Sequence, residues 1–470
     1  MSEQLDVIIV GAGSAGLAAL REVRKATERF VIINDGPYGT TCARVGCMPS
    51  KALIEAANAF HARHKHEAFG IHGGELLAID VPAVLRRVRG LRDRFVGGTL
   101  KATDELGERS IAGRAVLLGP DRLRVGDREL RAKRIILAPG SRPIVPEAWR
   151  ALGARIQTTD SLFELEDLPP RMAVIGLGAI GIEMAQAISR LGVEVAAFGR
   201  SPSLAGLTDE KVNAVLRERL DRELAIHVGA DVELQAAGDE VLVRSGSVEV
   251  HVDQVLVAIG RRPNLDEIGL DSLGVPLDSR GMPDFDQTTG RIGELPVFIA
   301  GDANGHVALL HEAADEGYIA GINATAVTPI CFRRRTPIGI VFADPGVAFV
   351  GRRLAELDGV QIVIGEVSYA KQGRARTAER NYGLLRVYAD REDGRLLGAE
   401  MAVPAAEHLA HLLALAIDRE LDVHALLGMP FYHPVLEEGL RTALRDAARQ
   451  LPTRRSDLAA CEAFRAEALD

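Results

Sequence analysis

The chain has 470 residues, of which 47% are hydrophobic and 26% charged, too long for one ordinary core and too apolar to be disordered, so two to four domains are expected. A formal charge of -9 gives no electrostatic reason to bind nucleic acid or an anionic membrane, and the short basic run Arg333, Arg334 and Arg335 does not reverse that balance. The N-terminal MSEQLDVIIVGAG lacks a basic leader, no apolar run is long enough to span a bilayer, and four cysteines cannot build a disulfide framework, so small-molecule chemistry in the cytoplasm is expected.

LDVIIVGAGSAGLAALREV comes first in chain order and reads as a buried strand, a glycine turn at Gly11, Gly13 and Gly16, and an alanine-rich helix, with the strand FVII after it. The first glycine permits a tight turn, the second lets the backbone approach a pyrophosphate, and the third packs helix on strand. The helix N-H groups are then aimed at phosphate. The acidic residue that usually holds a ribose hydroxyl is expected about 20 residues further on. Asn34 and Asp35 stand there, and Asp35 is the candidate for that work.

CARVGCMPSK, residues 42–51, places Cys42 and Cys47 five positions apart, far from Cys331 and Cys461. In a regular helix that separation is about 7.5 Å along the axis, more than the roughly 4.4–6.8 Å between bridged alpha carbons. A bridge therefore needs distorted backbone, which Gly46 allows. Pro49 fits the opening turn of the helix SKALIEAANAFHARH, whose N-terminus would stabilise a thiolate. His61, His64, His66 and His72 are the nearest residues that could complete a metal site. HARHKHEAFGIH reads instead as the basic, solvated end of a helix, so no metal is expected.

RAKRIILAPGSRP at 132–143 and HVDQVLVAIGRRPN at 251–264 are similar apolar strands that end in a glycine, Gly140 or Gly260, and an arginine-proline turn; they read as paired crossovers between domains. Between them RMAVIGLGAIGIEMAQAISRLGVEVAAFGRS repeats the fingerprint with Gly176, Gly178 and Gly181. Two copies in the same strand, turn and helix context predict two dinucleotides, a flavin and a nicotinamide. The second copy ends in Gly199 and Arg200, which removes the carboxylate and offers a cation that could accept a 2'-phosphate.

LPVFIAGDANGHVALLHEAADEG at 295–317 is a buried strand ending at Gly301 and Asp302, where a carboxylate could bind a polyol hydroxyl or simply cap a helix. From 337 onward short apolar strands, IVIGEVSY, GLLRVYAD and RLLGAEMAV, are followed by helical stretches at Glu407–Ile417 and Glu437–Gln450, a third kind of domain with no phosphate loop. In FYHPVLEEG, His433 with Glu438 is a candidate proton carrier, because a carboxylate that orients imidazole raises its basicity.

Taken in order, GAGSAG, CARVGCMPSK, APGSRP, GLGAIGIE, AIGRRPN, AGDANG, VFADPGVAFVG and HPVLEEG resemble the flavoprotein disulfide reductases over nearly the whole chain, most closely the branch that oxidises dihydrolipoyl dithiols. The resemblance implies two Rossmann-like dinucleotide domains and a C-terminal α+β dimerisation domain. FAD would be bound by 1–150 and 271–336, the nicotinamide by 151–270, and the homodimer contact made by 337–470. By resemblance Cys47 faces the flavin, Cys42 exchanges with substrate, and Lys51 sits near the flavin ring, paired with Glu183. His433, assisted by Glu438, reaches the disulfide from the partner subunit. Thr41, Gly140, Gly260, Gly301 and Asp302 fall with the cofactor contacts.

The implied reaction passes two electrons from free dihydrolipoamide or a lipoyl-bearing carrier protein to the Cys42–Cys47 disulfide, then to FAD, then to NAD. Asn34 and Gly199 depart from the family's acidic ribose ligands, and Gly199 with Arg200 resembles the NADP-using glutathione reductases, although Gly206 stands where those often have a second arginine. Their disulfide segment ends in PKK; Met48, Pro49, Ser50 and Lys51 here favour the lipoyl branch and NAD. Mercury-reducing relatives need a C-terminal cysteine pair, and only Cys461 is present; transhydrogenase relatives lack the redox pair.

Overall fold

The computed structural model describes residues 4–452, so Cys461 and the tail around it lie outside the described residues. The chain forms two compact units, one of residues 1–56, 80–168 and 256–334, the other of residues 57–79, 169–255 and 335–470. The first holds most of the segments expected to bind FAD; the second holds most of the expected nicotinamide segment together with the expected dimerisation segment. The mixed α/β class is as expected.

The first unit is built on a parallel sheet in which Ser110–Ala112, Phe30–Asn34, Leu5–Val10 and Arg128–Leu137 lie side by side, with Val297–Ile299 along the last. Uninterrupted valine and isoleucine runs suit these strands because both faces are covered. Ile9, Phe30 and Ile136 pack on one face with Ala15, Ala19 and Ala320. Ile8, Ile33 and Ile135 pack on the other with Leu123, Ile292 and Ile299. Helices Ser14–Ala26 and Leu310–Thr325 meet backbone to backbone. A Cβ at Gly317 would overlap the carbonyl of Ala15, and one at Gly321 would come within 2.6 Å of the carbonyl oxygen of Ala19. The two arginine-proline turns do pair: Ser141–Pro143 runs antiparallel to Arg261–Pro263, with Ser141 opposite Pro263.

In the second unit, Arg171–Ile175, Glu194–Gly199 and Ala225–Val228 form a parallel set with the helix Ala179–Arg190 after the glycine turn. Val232–Ala237, Glu240–Ser245 and Val248–Val252 make a three-stranded antiparallel sheet. The remainder is a five-stranded antiparallel sheet ordered Ile338–Val341, Gly346–Gly351, Leu396–Val403, Leu384–Asp390 and Ile362–Ser368. Helices Ala406–Asp418 and Glu438–Ala448 close one core with it, around Val387, Met401, Leu413 and Leu444. Glycine sets how near the last helix comes. A Cβ at Gly365 would overlap the carbonyl of Ala443, and one at Gly439 would overlap the Tyr369 ring.

Candidate active site

The two glycine turns divide labour among their glycines. In the first, a Cβ at Gly11 (φ +105°) would overlap the Ala138 carbonyl and one at Gly16 the Gly11 carbonyl, whereas one at Gly13 meets nothing within 4 Å. Gly11 and Gly16 therefore serve packing. Gly13 leaves space beside the first turn of helix Ser14–Ala26, a cradle that fits a pyrophosphate. The second turn repeats this: Gly176 has φ +98° and Gly181 is buried, while a Cβ at Gly178 meets nothing within 4 Å. Gly140 (φ +73°) also faces open space, and Gly260 (φ +119°) has only Ile144 near it, at 3.7 Å.

The strand ends differ. Asn34 accepts the Ala12 amide at 3.0 Å and donates to the Gly36 carbonyl at 3.0 Å, so it braces the first glycine loop. Asp35 instead accepts from Arg114 at 2.9 Å, and both side chains are more than half exposed. At the second strand end, a Cβ at Gly199 would lie 3.0 Å from Leu177, the residue between the first two glycines of that turn. A side chain at 199 is thus crowded by the loop itself. Arg200 is exposed beside it.

The cysteine segment breaks where the spacing requires. A short helix, Thr41–Val45, ends at Gly46, and Cys47 opens the helix Cys47–His61, earlier than the expected start at Ser50. A Cβ at Gly46 would sit 3.0 Å from the Thr41 carbonyl oxygen and 3.2 Å from the Cys42 Cα, so glycine lets the chain fold back on Cys42. The pair is present as two thiols, Cys42 half-buried and Cys47 exposed. The hydrogen bond shared with Cys47 holds the Cys42 thiol far above its usual value and burial adds to this, while the charge of Lys51 acts in the opposite direction. Ser50 secures the helix start, its hydroxyl donating to the Cys47 carbonyl at 3.0 Å. Thr41 is exposed at the head of the short helix.

His433 and Glu438 come together as expected. The imidazole Nδ1 lies 3.0 Å from one carboxylate oxygen of Glu438 and 3.1 Å from the other. That hydrogen bond, more than any other influence, pulls the Glu438 carboxyl below its usual value. The His433 side chain is 80% exposed, so its other nitrogen faces outward. Glu183, 5% exposed, accepts the Phe342 amide at 3.0 Å. Asp302 follows Gly301 (φ +71°) in the short turn Gly301–Asn304, and one of its oxygens accepts the Ser141 hydroxyl at 2.6 Å.

The histidine-rich segment is a helix end, as expected, with His64 and His72 exposed, but its first histidine is not solvated. His61 is only 18% exposed and lies 3.8 Å from Glu223. Lys65 reaches the Tyr382 hydroxyl at 3.4 Å. The reason is a buried ionic junction: Arg190, 3% exposed, meets Glu223 at 2.7 Å and Asp344 at 3.0 Å and donates to Asn58 at 2.6 Å. Sequence reading missed this junction, as it missed the Ser141, Arg261 and Leu177 contacts; each partner is remote in the chain. Among the described residues no group of three or more His, Cys, Asp or Glu is placed to hold a metal, and no helix is long and apolar enough to cross a membrane.

Comparison with known proteins agrees with the pattern. Residues 5–317 match the family described as pyridine nucleotide-disulphide oxidoreductase, and residues 338–444 match the dimerisation domain of the same family. Dihydrolipoyl dehydrogenase 3 of Haloarcula marismortui is 28% identical, the match covering 96% of this chain and 98% of the relative. A dihydrolipoyl dehydrogenase of Thermus scotoductus is 30% identical, covering 95% and 98%. Among solved structures, the HOCl-induced flavoprotein disulfide reductase RclA of Escherichia coli shares the fold, with TM-score 0.82 at 22% identity over 94% of this chain and 99% of that one.

Proposed function

The chain belongs to the pyridine nucleotide-disulphide oxidoreductases, which work with FAD and a pyridine nucleotide, and on that premise we propose that it oxidises a dihydrolipoyl dithiol at Cys42 and Cys47 and reduces NAD+. The observation that carries this reading is the thiol pair itself, folded back at Gly46 beside the charge of Lys51. The names of the relatives point to the same substrate.

In the oxidised enzyme the two sulfurs form a disulfide. A substrate thiolate attacks Cys42 and expels Cys47 as thiolate; the second substrate sulfur then displaces Cys42, leaving a cyclic disulfide product and the reduced pair. Bound FAD supplies the two-electron relay from the reduced pair to the nicotinamide. His433 takes the proton from the incoming thiol through the nitrogen that Glu438 does not hold, because the carboxylate engages Nδ1. The exposure of His433 and the matched dimerisation domain support a homodimer in which this residue serves the cysteine pair of a second copy. Lys51 opposes the upward shift of Cys42 by its charge. The reading includes a reducing, cytoplasmic setting, which the low cysteine count supports.

The test is steady-state turnover of dihydrolipoamide by the yellow holoenzyme and by Cys42→Ser and Cys47→Ser. Both variants should keep FAD and lose turnover, and His433→Gln should cost about 100-fold. Turnover retained by either serine variant would overturn the mechanism. Turnover that requires a lipoyl-bearing protein rather than free dihydrolipoamide would make the carrier the donor.

A second reading has its own observation. Leu177 crowds position 199, and Arg200 stands exposed next to it, a setting that suits a 2'-phosphate. An NADPH-dependent disulfide reductase of the glutathione type would use it. A hundredfold preference for NADP+ over NAD+ would displace NAD, and turnover with reduced glutathione in place of dihydrolipoamide would establish that reading.

A further inference from the structure

We propose that Arg261 and Ser141 are positioning residues that aim the Asp302 carboxylate at a hydroxyl of bound FAD. This rests on the flavin reading above. It gives the paired APGSRP and AIGRRPN turns a task beyond joining segments.

Asp302 projects from a turn whose backbone is held on its far side. Gly301 has φ +71°, a Cβ there would lie 2.8 Å from that of Ala15, and its amide donates to Glu316 at 2.7 Å. Glu316 also accepts from Asn304 at 2.7 Å and from Arg334 at 2.9 Å, which accounts for the inward member of the basic run. The turn is therefore rigid. The carboxylate it carries still needs a side-chain torsion to be set.

Ser141 sets it. The serine hydroxyl lies 2.6 Å from Oδ2 of Asp302, and Nε of Arg261 lies 2.7 Å from the same hydroxyl. A hydroxyl has one proton to give. Because the arginine can only donate, it occupies the acceptor side of the serine oxygen and forces the hydroxyl proton onto the carboxylate. A second arginine nitrogen donates to the Ser141 carbonyl at 2.7 Å and fixes the guanidinium. Arg261 Nε also lies 3.8 Å from Asp302 Oδ2, beyond hydrogen-bond reach but within ion-pair range, so its charge holds the same oxygen that the serine engages. The described residues engage Oδ2, and Oδ1 accepts no hydrogen bond from them, which leaves it oriented for a ligand hydroxyl. Ser141 is 8% exposed, so water does not compete for the relay.

The experiment titrates FAD into apoprotein, following flavin fluorescence, with thermal unfolding of each apoprotein measured alongside. Asp302→Ala, Ser141→Ala and Arg261→Leu should each weaken FAD about tenfold, the loss of one hydrogen bond to a charged group. Arg261→Lys, which keeps a donor, should recover part of the loss. In the Asp302→Ala background, Arg261→Leu should add less than about twofold, because the relay then has nothing to aim. Ser141→Ala and Arg261→Leu both binding FAD like the wild type would overturn the proposal. So would losses fully additive with Asp302→Ala, which would mean that the two residues act on the fold alone. A wild-type apoprotein that binds no FAD would instead overturn the flavin reading beneath it.

Discussion

Helices Ser14–Ala26 and Ala179–Arg190 leave their strands through the same kind of glycine turn, each with its middle glycine facing open space, yet they are anchored by opposite means. The first is held without charge, pressed onto Leu310–Thr325 at Gly317 and Gly321 so closely that backbone meets backbone. The second ends in Arg190, whose buried guanidinium ties Glu223 and Asp344 together. Gln186 on the same helix exchanges hydrogen bonds with the Asp344 backbone at 2.8 and 3.0 Å. The glycine-turn end of the motif, proposed to face phosphate, answers to the geometry of a ligand. The far end answers only to its neighbours, and here two solutions stand in one chain.

Removing the charge should break the contrast most severely. Arg190→Ala takes the shared partner from Glu223 and Asp344, whose side chains are 9% and 25% exposed, and should cost up to about 3–5 kcal/mol in chemical denaturation, the range for breaking a buried pair; a loss under about 1 kcal/mol would show that the junction is not what holds the helix. Gly317→Ala attacks the uncharged anchor. Its Cβ would overlap a carbonyl that cannot swing aside, so a loss of about 1–3 kcal/mol is expected, and wild-type stability would refute the close contact.

Gly13→Ala sharpens the comparison by separating packing from binding. The added methyl meets nothing in the protein, so apoprotein stability should stay within about 0.5 kcal/mol of the wild type, while FAD affinity measured by titration should fall by an order of magnitude or more. Equal loss of both would place Gly13 with the structural glycines.

The smallest effect is on pH. Burial, aided by the charge of Arg190, pushes His61 down from the usual 6.5 to about 4, so the folded ring is neutral where the unfolded ring takes up a proton. Stability should therefore be fully present above about pH 6.5 and decline as the pH falls toward 4. His61→Gln should flatten that decline relative to the wild type. An unchanged profile would assign the decline between about pH 6.5 and 4 to other groups; Asp344, whose carboxyl burial pushes up but Arg190, Tyr382 and Lys65 together hold below its usual value, contributes only at still lower pH.

What could be read from the chain was local. The glycine turns, the break at Gly46 and the C-terminal helices, found at Ala406–Asp418 and Glu438–Ala448, are written in spacings of a few residues. The junction at Arg190 is not: Asp344 lies 154 positions away and carries no local mark. The same holds for Arg261, 120 positions from Ser141. Asn34 was visible as a departure from an acidic ligand, but its bond to Ala12 depends on how the strand end meets the turn. The long helix Val81–Asp104 escaped notice because Gly90, Gly97 and Gly98 look like breakers; a Cβ at any of them would meet nothing within 4 Å, so they interrupt composition without interrupting packing.

The close seat of Gly439 against Tyr369 bears on how the His433 imidazole could be re-aimed. Glu438, which grips that ring, is the first residue of the helix, one position before the glycine. The imidazole proposed as the proton carrier is thus mounted on a short lever whose pivot lies in the turn that follows the strand Ile362–Ser368. Rewriting residues 431–435 would change what surrounds the imidazole, whereas adding a single methyl at position 439 would tilt the mount itself.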